Sequence, residues 1–337
     1  MSARRALAGL TLAISAGLLA GCTTELPQPQ PEAAPETPPP ALDSARLEDI
    51  LSEIDATLAE ADEARDAELL GPRIISPAQD MRAAEYRLAR ATDGDFSPQP
   101  IVTAPQVAAV AAAEGWPRPA MVVTEIPEGE NLPLLLGLTQ QNPRDPYSLW
   151  GWVTLFPGIE VPPMARPETG SAAVPPDAEG LVATPEEVVA RYAQTLNDND
   201  SEHADAFADD PYKDTSRSTT QELDDAIEAA GSASVEAEVA DDGPLSLATA
   251  DGGAIVLGEL RSTLTMSRTV PESELTAGGN IAALLDDDEV VGTVSGVSDV
   301  TVAFYVPPAG AEDETIRPIG ATSVLTEVNR DDEAAPE

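Results

Sequence analysis

Thr184-Pro185-Glu186-Glu187-Val188-Val189-Ala190-Arg191-Tyr192 decides how the second half of this 337-residue chain is built. Thr184 with Glu187 three residues on is a capping box, and Pro185 takes the first helical position, where a missing N–H costs nothing. Val188, Tyr192 and Leu196 follow at four-residue intervals and so share one helix face. Asp205 to Asp210 predicts a short helix or turn carrying Phe207. Thr219-Thr220-Gln221-Glu222 reads as the cap of a further helix, with Leu223, Ala226 and Ile227 on one face. Strands are predicted at 233–240, 245–250, 254–267, 290–306 and 316–328, and Val300, Val302, Phe304 and Val306 alternate cleanly.

Upstream the same order occurs. Leu47, Ile50, Leu51, Ile54 and Leu58 recur at helical spacing behind a cap at Asp43 or Ser44. Gly71 and Pro72 break the pattern, and Ser76-Pro77-Ala78-Gln79 predicts a capped second helix with Met81, Ala84 and Leu88 on its apolar face. Short strands are expected at 99–104, 119–126, 132–140 and 147–156, with an alanine-rich helix at 105–114. Residues 157–182 hold prolines, Gly170 and Gly180 and no periodic apolar signal, which predicts an interdomain linker. The fold class is therefore α+β. Two small lobes, 43–156 and 183–330, would each pack N-terminal helices on a curved antiparallel sheet, followed by an acidic disordered tail at 331–337. The late strands Val153-Thr154-Leu155-Phe156-Pro157 and Val302-Ala303-Phe304-Tyr305-Val306-Pro307 echo one another. Duplication stays open, because such matches are short and align loosely.

The helix at 184–192, Phe207 with Asp210-Pro211-Tyr212, and the strands from Ala254 onward resemble the NTF2-like, cystatin-like cone fold. The likeness covers roughly 184–328 and implies a curved sheet around the first helix, able to enclose a pocket. Some enzymes of that fold use a buried Asp, Tyr or His in the cone. No position here matches those roles, and fold alone does not carry chemistry.

The N-terminus supplies an address. Arg4 and Arg5 precede an uncharged run from Ala6 to Leu19, too short to span a bilayer comfortably. Leu19-Ala20-Gly21-Cys22 resembles a bacterial lipobox, and the whole chain resembles surface lipoproteins of high-GC Gram-positive bacteria. The resemblance implies a signal peptide at 1–21, cleavage between Gly21 and Cys22, and diacylglycerol on the Cys22 sulfur. Two or more acyl chains hold a protein stably on a membrane, whereas one does not. Seven prolines between Pro27 and Pro40 then predict a polyproline tether over 22–42.

Composition excludes much. Cys22 is the sole cysteine and His203 the sole histidine, so cysteine-based metal sites and disulfides are absent once Cys22 is lipidated. Eighteen basic residues against sixty acidic ones give a net charge of −42, which disfavours nucleic acid and anionic lipid as partners. The lipid is then the membrane contact. Asp198, Asp200 and Glu202 sit at alternate positions like calcium-loop ligands, but His203 stands where such a loop needs glycine. Asp286-Asp287-Asp288-Glu289 reads as a solvated charge run, and Asp251-Gly252-Gly253 as a turn. No catalytic set, cofactor or metal is expected. Trp150 and Trp152, two apart on a strand, are expected to share a face, either in the first lobe's core or as a binding surface. The function these features predict is a non-catalytic lipoprotein outside the cell membrane that binds an envelope protein or a small molecule. The alternatives are a cone enzyme using a buried carboxylate as general base, and a lipid or solute carrier.

Overall fold

In the computed structural model, residues 38–113, 115–285 and 287–336 are described. The expected signal peptide with Gly21, the expected lipidation site Cys22 and the expected tether as far as Thr37 lie outside them. Helix α1 (Ser44–Ala64) is capped by Asp43, whose carboxylate accepts from the Arg46 N–H at 2.8 Å, and it buries the predicted stripe of leucines and isoleucines. In α2 (Ala78–Ala91) the expected Ser76 box does not form. The Gln79 N–H already donates to the Ile75 carbonyl, so no orphan donor is left for Ser76, whose hydroxyl turns to Asp80 at 2.6 Å.

The strands are β1 (Pro105–Val110), β2 (Arg118–Thr124), β3 (Leu134–Gln140) and β4 (Ser148–Leu155). β1 lies where an alanine-rich helix was expected, and 99–104 is irregular. Alanine's helix propensity is overridden here by pairing with β2. In the second half, α3 (Pro185–Asn197) carries the full Thr184–Glu187 capping box. Helix α4 (Pro211–Ile227) starts eight residues ahead of the Thr219 cap that was expected. Asp210 caps it instead, accepting from the Lys213 N–H at 2.9 Å, with Pro211 in the first turn. Then come β5 (Gly231–Val239), β6 (Leu245–Ala248), β7 (Ala254–Arg268), the short α5 (Gly279–Ala283), β8 (Thr293–Val306) and β9 (Arg317–Asp331).

These elements confirm the α+β class and correct the division into two lobes. All nine strands among the described residues belong to one sheet, ordered β1-β2-β3-β4-β9-β8-β7-β5, with β6 on β7. The seam between the halves is the β4–β9 pairing, only Thr154↔Ala321 and Leu155↔Gly320, and Pro38–Glu337 forms one compact unit. Three apolar layers follow from strand alternation. Leu136, Leu149 and Trp152 face α1 and α2, while Val256, Val302 and Phe304 face α3. Between them Met121, Leu135 and Val153 of the first half meet Ile255, Leu257 and Ala303 of the second. Gly137 and Gly151 pair opposite one another in this middle layer. A Cβ on Gly137 would collide with the Leu257 side chain, so absence of a side chain is what lets the half-sheets approach.

The linker expected at 157–182 is also corrected. Ser171 pairs with the edge of β1 on both sides, donating to the Val110 carbonyl at 2.8 Å and accepting from the Ala112 N–H at 2.7 Å. Ala173 bridges Leu247, and Leu181 bridges Pro308. A segment rich in proline has few N–H donors to satisfy, so it can cross sheet edges at little cost. The tail is a correction too. β9 runs to Asp331 and a 3-10 turn follows over Asp332–Ala334, where Arg330 Nε donates to Asp332 at 2.7 Å.

Candidate ligand groove

Two tryptophans open the site. Trp116 lies between β1 and β2 and is 38% exposed, with the Arg118 guanidinium 3.9 Å from its ring centroid. Trp150 lies on β4 and is buried. Both line a groove of about 670 Å³ walled by Pro117, Pro119, Pro175, Pro176 and Pro244. Gln141, Ser246 and Asp242 supply its polar groups, and the Ser246 hydroxyl oxygen is buried without a hydrogen-bond partner. Burial and the nearby Asp80 and Asp241 push the Asp242 carboxyl above its ordinary range.

The expectation that Trp150 and Trp152 share a face is corrected by a β-bulge. Gly137 pairs with Gly151 and Leu138 with Leu149, leaving Trp150 as the extra residue. The bulge turns Trp150 into the middle layer and the groove, while Trp152 stays under the helices. Trp152 is core. Its indole N–H donates to Gln99 Oε1 at 3.0 Å, and the Gln99 amide reaches Thr154 at 2.8 Å. Trp116, which the sequence reading passed over, is the aromatic that the groove exposes; the run Trp116-Pro117-Arg118-Pro119 was its signal.

Gln99 also ties into a buried ionic network. Arg82 is 2% exposed and forks onto Asp62, Nε to Oδ1 at 2.8 Å and Nη2 to Oδ2 at 2.5 Å. Its Nη1 donates to Glu85 and to the Gln99 carbonyl, both at 2.7 Å. Tyr86 donates its hydroxyl to the same Asp62 at 2.5 Å. The network joins α1, α2 and β4, and every strong donor in it has an acceptor.

The cone expected in the second half is filled. Tyr192, Phe207 and Phe304 pack with ring centroids 5.0–6.2 Å apart, two of the pairs edge-on. Asp210 is buried beside them and accepts from the Tyr192 hydroxyl at 3.0 Å, its carboxyl raised by burial against those hydrogen bonds. Its Oδ1 caps α4 and accepts from Tyr192, while its Oδ2 is buried without a hydrogen-bond partner. His203 is half-buried just before a 3-10 turn at Ala204–Ala206. Asp198 accepts from the Asp200 N–H at 2.9 Å. Among the described residues no three His, Cys, Asp or Glu side chains gather as a metal set, and no helix is long and apolar enough to cross a membrane.

A second acidic feature lies on the hidden face of β7 and β8. Glu259 and Asp299 are both 6% exposed. Arg261 Nε stands 3.7 Å from Asp299 Oδ1, an oxygen that has no hydrogen-bond partner. Burial, then Asp299 and Asp242, push the Glu259 carboxyl up to about 8.

A family described as a domain of unknown function, DUF8094, matches residues 38–328. The chain belongs to that family. The match runs from the first described residue into β9 and so takes in both halves of the sheet as one unit. No curated protein matches the chain, and no solved structure does. The groove, the ionic network and the seam all fall inside the DUF8094 region.

Proposed function

We propose that this protein is a non-catalytic, lipid-anchored binding protein on the outer side of the cell membrane, and that the Trp116–Trp150 groove is its ligand site. The groove carries the reading. In a chain with 4% aromatic residues, two of three tryptophans stand in one proline-walled depression. Ligand sites are concave and mostly apolar, with a few placed polar groups. Here those are Gln141, Ser246 and Asp242. Attachment rests on Leu19-Ala20-Gly21-Cys22 and on the charge of −42, which leaves the lipid as the membrane contact.

Two measurements test the two parts. Cys22→Ser is expected to move the protein from the membrane to the soluble fraction with an unchanged melting temperature; retention of the variant at the membrane refutes lipid anchoring. For the groove, the mature Cys22→Ser chain is immobilised and exposed to envelope extract beside the same chain carrying Trp116→Ala. Trp116 is on the surface, so the substitution leaves the fold intact. Retention of envelope material is expected to fall at least tenfold, and equal retention by both chains rejects the groove as the site.

A further inference from the structure

We propose that Asn197 and Asp224 hold the outer edge of β5 closed against the β5 of a second copy of this chain, and so keep the protein monomeric. β5 is the last strand at one end of the sheet. Other edges are covered: Ser171 bonds along β1, and residues 172–174 bond along β6. Among the described residues no chain segment bridges the outer side of β5. An edge of this kind is a template for pairing with another chain.

Two side chains stand in for the missing neighbour. Asn197, the last residue of α3, donates from Nδ2 to the Ala237 carbonyl at 2.7 Å and accepts at Oδ1 from the Ala237 N–H at 2.6 Å. Those are the two bonds that a residue of an antiparallel strand would exchange with Ala237. Asp224, on α4, accepts from the Ala233 N–H at 2.8 Å. Bonding direction alternates along a strand, so Ala233, Val235 and Ala237 turn their N–H and C=O groups away from β7, while Ser232, Ser234 and Glu236 turn theirs toward it. The two stoppers therefore sit at the ends of a triplet whose centre, Val235, has none.

That symmetry names the occupant. Turned about a two-fold axis at Val235, β5 pairs with itself: Val235 meets Val235, Ala233 meets Ala237, and Ser234 and Ser232 meet Glu236 and Glu238. No two carboxylates stand directly opposite, and the strand has no proline or lysine to spoil the ladder. The Ala233–Ala237 pairings are the ones that Asn197 and Asp224 deny. The net charge of −42 adds a barrier at longer range, which salt screens.

Light scattering behind gel filtration tests this on the mature Cys22→Ser chain, with salt raised from about 0.1 M to about 1 M, which shortens the screening length from about 10 Å to about 3 Å. The parent is expected to stay monomeric throughout. Asn197→Ala with Asp224→Ala is expected to run at twice the monomer mass at high salt. Neither side chain belongs to the core, so its circular dichroism should match the parent's. Adding Val235→Pro, which removes the central N–H and which an edge strand tolerates, is expected to restore the monomer. A folded double variant that stays monomeric at high salt overturns the proposal, and so does a dimeric parent. A dimer that survives Val235→Pro overturns it too, because that dimer forms through another surface. If the double variant does not fold, Asp224→Ala alone, which gives up one hydrogen bond, decides: a dimer at high salt that Val235→Pro reverses supports the proposal, and a monomer rejects it.

Discussion

Arg82→Ala is expected to cost about 3–5 kcal/mol of unfolding free energy, the range for removing one partner of a buried ion pair. The guanidinium serves four acceptors from three chain segments: two oxygens of Asp62, one of Glu85, and the Gln99 carbonyl. Burial alone would disfavour its charge, but Asp62 and Glu85 more than offset that, and the group is held protonated well beyond its ordinary range. Glu85 is the mirror case. Burial raises its carboxyl, and Arg82 is the first opposing influence. Without Arg82, Glu85 is a buried carboxylate with only the Gln99 N–H, at 3.0 Å, to hold it. Lysine cannot substitute, because one ammonium does not span the Asp62 fork and two further acceptors. Domains are stable by about 5–15 kcal/mol, so Arg82→Ala leaves the fold marginal. Urea unfolding of the single variant and of Arg82→Met with Glu85→Leu checks this. The double variant is expected to recover much of the loss. A single-variant loss below about 1 kcal/mol would show that the network is not a stabilising unit.

The second large effect is on pH. Burial pushes the Glu259 carboxyl up to about 8 in the folded protein, from an ordinary glutamate value of 4.5 when unfolded. The folded state therefore binds the extra proton between those values. Its contribution is fully present below about pH 4.5 and is lost as pH rises through about 8. Each unit of difference is worth about 1.4 kcal/mol, so the loss across the window is a few kcal/mol. The groups facing Glu259 are Asp299, Asp242 and Asp80, with Arg261 opposing them. Asp299 is raised by burial as well and acts in the same direction. Stability measured from pH 5 to 8.5 is expected to fall steadily, and Glu259→Gln, which keeps the shape and drops the charge, is expected to flatten that slope and be the more stable protein at pH 8. An unchanged slope in Glu259→Gln would place the titrating group elsewhere.

Local patterns made most elements legible. The Thr184 box, the α1 stripe and the alternation at Val300 to Val306 each placed an element within a few residues. The errors came from what local patterns do not carry. The seam pairs Leu155 with Gly320 across half the chain through two residue pairs, and no periodicity records such an event. Alternation puts Asp299 and Thr301 on the face opposite Val300 and Val302. They are buried because a second half-sheet covers them, with the Thr301 hydroxyl donating to the Trp152 carbonyl at 2.5 Å. The bulge at Trp150 defeats a period of two by design. The groove was half visible: Trp150 was singled out for its ring, whereas Trp116 could be placed only once Pro244 and Pro175 had folded against it.

The strand that joins the halves comes last in chain order among the nine described strands. β9 lies in the interior of the sheet, with β4 on one side and β8 on the other. A chain emerging N-terminus first, from a ribosome or a translocation pore, can form α1, α2 and the β1–β4 hairpins early, because their partners are near in sequence. It then waits with the free edge of β4 exposed until Arg317–Asp331 arrives. Such an edge is where partly made chains pair wrongly. A stop codon ahead of Arg317 would thus do more than shorten the protein, since it removes the strand through which the first four pair into the rest of the sheet.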